Sequence, residues 1–197
     1  MNRQLIKQII PKLIRYVIVT VLICLATRLS AIELPDGAYI HIGDTAVYLA
    51  ALLLPWQAAV PVCAIGCAAA DIALGSVNYV FATVIIKALT VLFIKILLRL
   101  SEKPLTQDVL VCFSGVVTVA GYYIADVIKA IDNSRGFIHA MSIAFDPIMY
   151  NVLQALICAV LYIIVSGIAR YYACKKKEKE TVSDDNPEIV CEDKSDA

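Results

Sequence analysis

Residues 80–100, VFATVIIKALTVLFIKILLRL, run apolar for their whole length except at Lys87, Lys95 and Arg99. Five more stretches read the same way, at about 10–29, 40–54, 57–75, 107–130 and 147–172. A helix needs roughly 20 apolar residues to cross the hydrocarbon layer of a bilayer. The composition, 60% hydrophobic and 17% charged, is too apolar for an ordinary water-facing surface. The predicted fold is therefore an all-α integral membrane protein, a bundle of six transmembrane helices. A chain of 197 residues leaves no room for a separate soluble domain beside it. The basic N-terminus followed by Leu13 to Ala26 imitates a signal peptide, but no small-residue cleavage site stands out. It reads as a retained first helix.

Residues 1–174 form the predicted membrane domain. From Lys175 to Ala197 acidic and basic residues alternate with almost no apolar content, which predicts a disordered charged cytoplasmic tail. The seven cysteines form no CxxC pair and lie mostly within apolar runs, so they read as small packing residues.

Local signals mark the joints. Leu54-Pro55-Trp56 predicts a very tight turn between the second and third segments, because proline forces the preceding residue out of the helical region. Asp146-Pro147 reads as an N-cap followed by a first-turn proline at the start of the sixth. Ala59, Cys63, Cys67 and Asp71 recur every four residues in the third segment, a spacing that allows close helix approach, within the bundle or toward a partner.

Orientation follows from the basic residues. They gather before the first segment (Arg3, Lys7, Lys12, Arg15), around the fourth-to-fifth connection (Lys95, Arg99, Lys103) and after the sixth (Arg170, Lys175 to Lys177). The positive-inside rule then places both termini of a multi-pass plasma-membrane protein in the cytoplasm. The loop from Ser30 to Tyr39 carries Glu33 and Asp36 and faces outward.

With that topology, polar groups concentrate in the outer half. Tyr39, His41, Asp44, Lys87, Asn151 and Gln154 fall at or below the outer ends of descending segments, and Asp71, Tyr122 and Asp126 near the outer ends of ascending ones. These nine residues are the candidate substrate-binding set. The inner halves read as Leu, Ile, Val, Ala and Cys, with Lys95 and Arg99 reaching the cytoplasmic surface. Ionisable residues at membrane depth face a bundle interior or a cavity. Lys87 needs a carboxylate, with Asp71 and Asp126 the candidates, or an anionic ligand. Asn151 and Gln154, three apart, share a helix face and either address a ligand ring or join helices. Asp44 and Asp71 lie close enough to the interface to be solvated or to serve helix packing, a reading that outweighs direct ligand contact. Two histidines near loops make no metal site, and no cofactor is expected.

No G-x-x-x-x-G-K-[ST] is present, so the chain is not its own ATPase. H-E-x-x-H and G-x-S-x-G are also absent, which leaves catalysis no visible seat. Basic and aromatic residues do not interleave on a soluble surface, so nucleic-acid binding is not supported.

Tyr39-Ile40-His41-Ile42-Gly43-Asp44, Ala68-Ala69-Ala70-Asp71 and Thr83-Val84-Ile85-Ile86-Lys87, with Asn151 and Gln154, resemble the substrate-binding S components of energy-coupling factor (ECF) transporters. The resemblance covers nearly all of the chain but its tail. It implies a non-enzymatic six-helix subunit that binds a water-soluble vitamin or precursor from outside, with Ser30 to Ile40 as a gate. It also implies partners: a transmembrane coupling protein, contacted by the first three helices, and two cytoplasmic ATPases. Thr20 and Cys24 stand where an alanine-x-x-x-alanine docking strip is expected. Lys87 and the two amides suit a hydroxylated pyridine or pyrimidine, which favours pyridoxine or hydroxymethylpyrimidine, with riboflavin also open. The rival readings are a carrier driven by an ion gradient, and a membrane enzyme or assembly factor using Asp44, Asp71 and Asp126.

Overall fold

The computed structural model describes residues 3–33, 39–131 and 136–183, with side chains from residue 7 to 176. Eight helices and one short hairpin follow in order: α1 Arg3–Ser30, β1 Ile32–Glu33, β2 Tyr39–Ile40, α2 Gly43–Leu53, α3 Trp56–Ala73, α4 Val80–Leu97, α5 Pro104–Phe113, α6 Gly115–Ile131, α7 Phe137–Phe145 and α8 Ile148–Ser183. Five stretches are long and apolar enough to cross a membrane: Lys7–Ser30, Trp56–Ala73, Val77–Leu97, Pro104–Ile131 and Ile148–Lys176; α2 is a shorter apolar helix. This is the all-helical membrane architecture that the apolar segments predict.

Three features depart from the sequence expectation. The second segment is helical only from Gly43, because Tyr39 and Ile40 pair with Glu33 and Ile32 in a two-stranded hairpin. The fifth is interrupted at Ser114, whose hydroxyl bonds the Val111 carbonyl at 2.6 Å. The connection before α8 contains α7, which buries Ala140 and Ala144 against Val127 of α6. Asp146 is the C-cap of α7 in a helical conformation rather than an extended N-cap. The α8 helix nevertheless starts beside Pro147, whose carbonyl accepts from the Tyr150 and Asn151 N–H groups.

The tight joint at residues 54–56 forms as read. Leu54 is extended (φ −104, ψ 149) ahead of Pro55, and Trp56 opens α3. The freed carbonyls at the end of α2 are capped by cations: Lys95 Nζ donates to Leu54 O at 2.6 Å and Arg15 Nη2 to Leu53 O at 3.3 Å. Lys95 is thus a half-buried cap, not a side chain reaching out to the surface. At the other end of α3, Gly75 adopts φ +78. Its N–H bonds Ile72 O and the Ser76 N–H bonds Asp71 O, the paired bonds of a Schellman cap that a left-handed glycine permits.

Two compact units divide α8: residues 1–162, and residues 163–197 beyond. In the first unit one apolar cluster joins the helices, with Ile23, Val47, Tyr48, Cys63, Val91 and Tyr162 among its buried members. The small-residue strip of α3 packs inside it: Ala59, Cys63 and Cys67 are all buried. Gly66 lets α1 approach, since a Cβ there would sit 2.9 Å from Thr20 O and 3.0 Å from Ile23 Cβ. The α1 helix buries only a narrow stripe, Ile23 and Thr27 one turn apart, and leaves Leu13, Val17 and Leu22 about half exposed. The half that the sequence reads as inner is not wholly apolar. Asp108 of α5 is buried and accepts from Tyr162 OH at 3.0 Å.

In the second unit α8 continues as helix to Ser183, so residues 175–183 of the expected tail have a helical backbone. Residues 184–197 lie outside the described residues. Cys24, Cys63, Cys67, Cys112 and Cys158 are free thiols, whereas Cys174 is disulfide-bonded, against the reading of every cysteine as a packing residue.

Candidate functional site

Where the hairpin, the Val77–Tyr79 turn and the start of α8 come together, polar side chains meet in two layers. The deeper layer is an ion pair. Lys87 Nζ lies 2.6 Å from Asp44 Oδ1, and both side chains are 1% exposed. The sequence pointed Lys87 toward Asp71 or Asp126; Asp44 takes that place because α2 and α4 pack side by side. Gln154 on α8 joins the pair, its Nε2 donating to Asp44 Oδ2 at 3.5 Å while its Oε1 accepts the His41 backbone N–H at 3.1 Å. The Tyr122 ring also faces Lys87, 5.3 Å from Nζ to centroid.

Above it lies a cavity of about 70 Å³. Tyr39, Tyr79, Tyr122 and Tyr150 supply aromatic walls; His41, Asp126, Asn151 and Gln154 supply polar groups, and Pro147 closes one side. Six of the nine candidates therefore line one cavity: Tyr39, His41, Tyr122, Asp126, Asn151 and Gln154. Asp44, Asp71 and Lys87 do not reach it. Asp71 instead accepts from Tyr39 OH at 2.5 Å, and Asp126 from Tyr79 OH at 2.6 Å. Both bonds hold cavity tyrosines by their hydroxyls while the rings stay available to a ligand. The three carboxylates have separate partners and do not converge. Among the described residues no group of three His, Cys, Asp or Glu could hold a metal.

Tyr79, Pro147 and Tyr150 are the lining residues that the candidate set omits. Helical spacing would have found two of them, since residues 147, 150, 151 and 154 fall on one face. The third, Tyr79, sits in the short 3-10 turn Val77–Tyr79, where Lys129 Nζ lies 3.6 Å from its ring centroid.

His41 sits in the link between the hairpin and α2. Its Nδ1 accepts the Gly43 N–H at 3.1 Å, and its carbonyl is met by Cys158 Sγ at 3.5 Å. Burial pushes its imidazole down to about 4, helped by the Lys87 ammonium and opposed by the Asp44 carboxylate. Burial also raises the Tyr39 phenol, with Asp71 adding to the effect, so this hydroxyl stays protonated as a donor.

The family model for the ECF-type riboflavin transporter, S component, matches residues 7–171. The chain belongs to this family. No curated protein matches it significantly. The matched stretch runs from α1 well into α8 and contains every residue of the cavity. As an S component, the chain is a multi-pass membrane protein and the substrate-binding, non-enzymatic subunit of an ECF transporter. The family works with ECF coupling and ATPase modules and takes a vitamin substrate.

Proposed function

We propose that the chain captures riboflavin in the tyrosine-lined cavity and hands it to an ATP-driven coupling module. The observation that carries this reading is the cavity itself. Four tyrosine rings surround a small set of hydrogen-bonding groups, directly above a lysine already neutralised by Asp44. Such walls suit a flat, uncharged, polycyclic ring, which stacks on aromatic faces and is fixed by a few polar contacts. The family match favours riboflavin over pyridoxine or hydroxymethylpyrimidine.

In this reading the cavity end faces outward and the cations Arg15, Lys95, Arg99 and Lys103 mark the cytoplasmic side, with both termini there. The partners are a transmembrane coupling protein and two cytoplasmic ATPases. The broad exposed apolar face of α1 is the surface offered to lipid or to the coupling protein. Small-molecule sites typically enclose roughly 300–1,000 Å³. At about 70 Å³ the cavity must therefore widen to take a three-ring ligand. The same small volume favours pyridoxine as the second reading.

Native mass spectrometry of the detergent-purified protein tests the choice. A bound flavin retained from the expression host supports the proposal. A retained pyridoxine-type compound moves the assignment to the smaller ring.

A further inference from the structure

The ring of His41 is unusually constrained for a residue that borders a cavity. It is 5% exposed, and its Nδ1 is committed as an acceptor to the Gly43 N–H. A nitrogen that accepts carries no proton, so in the neutral ring the proton is on Nε2. Nε2 has no partner among the described residues, while the ring forms part of the cavity wall. The backbone on both sides is also held: the His41 N–H by Gln154 and the carbonyl by Cys158.

We infer that His41 is a specificity-determining residue, a neutral imidazole whose Nε2–H donates to an uncharged acceptor, a ring carbonyl or ring nitrogen of the ligand. The inference rests on the proposal that a flavin occupies this cavity, whose isoalloxazine edge carries such acceptors. Asp44 and Lys87 do not touch the ligand in this scheme. They act as positioning residues, since Asp44 orients the Gln154 amide and that amide orients His41. The ring stays neutral because it is buried, with the Asp44 carboxylate opposing that effect and the Lys87 ammonium helping it. Among the described residues, Tyr39 on β2, Asp44 on α2, Lys87 on α4 and Cys158 on α8 adjoin it, with Asp44 and Lys87 paired to each other, and Asp126 on α6 lines the same cavity but is held by Tyr79. A cavity whose floor offers a neutral donor selects for a carbonyl edge and gives no advantage to a carboxylate or phosphate at the same place.

The test uses the full-length protein in detergent or nanodiscs and two substitutions. His41→Asn keeps an acceptor near Nδ1 for the Gly43 N–H but removes the deeper donor; His41→Gln restores an N–H near Nε2. Losing one such bond and leaving the ligand acceptor unpaired corresponds to about a 10- to 100-fold weaker Kd for riboflavin in His41→Asn, with His41→Gln recovering most of it. Riboflavin binding by His41→Asn equal to that of the unsubstituted protein overturns the inference. Separately, ¹⁵N NMR of labelled histidine, in a His139→Gln background, is expected to show the Nε2–H tautomer between pH 5.5 and 8 without ligand. An Nδ1–H tautomer, or a ring that titrates normally, overturns it as well. If the unsubstituted protein binds no riboflavin, the flavin reading fails, and the histidine spectrum still decides the state of His41.

Discussion

Lys87 and Asp44 form an ion pair at 2.6 Å with neither side chain reaching solvent or the cavity. A buried pair of this kind is poor evidence of net stabilisation, but breaking it leaves one uncompensated charge in a low-dielectric interior. Lys87→Met or Asp44→Leu alone is expected to cost on the order of 3–5 kcal/mol, whereas the double substitution recovers most of that loss. Thermal unfolding of the three variants in one detergent measures the cycle. Additive single losses would show that the pair is not coupled.

Asn151 behaves oppositely. It lines the cavity, is only partly buried, and sits on the first turn of α8 one turn before Gln154. Asn151→Ala is expected to leave the unfolding midpoint within a degree or two and to weaken riboflavin binding by about tenfold, the loss of one or two hydrogen bonds. Unchanged affinity would remove Asn151 from the site.

Glycine substitutions report on helix approach. A Cβ on Gly43 would fall 2.0 Å from Thr27 Oγ1 and 3.0 Å from Thr27 Cα, so Gly43→Ala forces α1 and α2 apart. Overpacking of this type costs roughly 1–3 kcal/mol. Gly167→Ala meets nothing within 4 Å and lies inside α8, where alanine is expected to be neutral or stabilising by up to about 1 kcal/mol. Thermal melts of the two variants should move in opposite directions or differ clearly in size.

The buried neutral imidazole of His41 gives stability a pH dependence. Its folded value, about 4, lies below the ordinary 6.5. Between these two values the unfolded chain binds a proton that the folded one refuses. This contribution is therefore complete above pH 6.5 and is lost as pH falls toward 4, by an amount on the order of 3 kcal/mol. Unfolding midpoints at pH 7.5 and 5.0 should differ more for the unsubstituted protein than for His41→Asn.

Depth was legible in the sequence, and rotation was not. Apolar run length set the spans, Pro55 set the tight joint, and the position of Lys87 along α4 set its level in the bundle. Which carboxylate met Lys87 depended on how α2, α3, α4 and α6 are turned about their axes, and short polar motifs carry no information about that. Asp71 and Asp126 were therefore plausible partners until the tyrosines claimed them. Asp108 escaped notice because it lies near the start of a segment, where an acidic residue reads as an interface group. The hairpin has strands of two residues, too short for any alternation to show. The α7 helix has nine residues in a stretch that reads as loop. The hairpin brings Tyr39 to the cavity, and α7 packs against Val127 of α6 just ahead of Pro147.

Titration of the purified protein with riboflavin, followed by quenching of the flavin fluorescence, addresses the central claim most directly, with pyridoxine and hydroxymethylpyrimidine as competitors. The expected result is saturable binding of one riboflavin per chain that neither competitor displaces at equal concentration. Absence of riboflavin binding, with pyridoxine or hydroxymethylpyrimidine bound instead, would contradict the account.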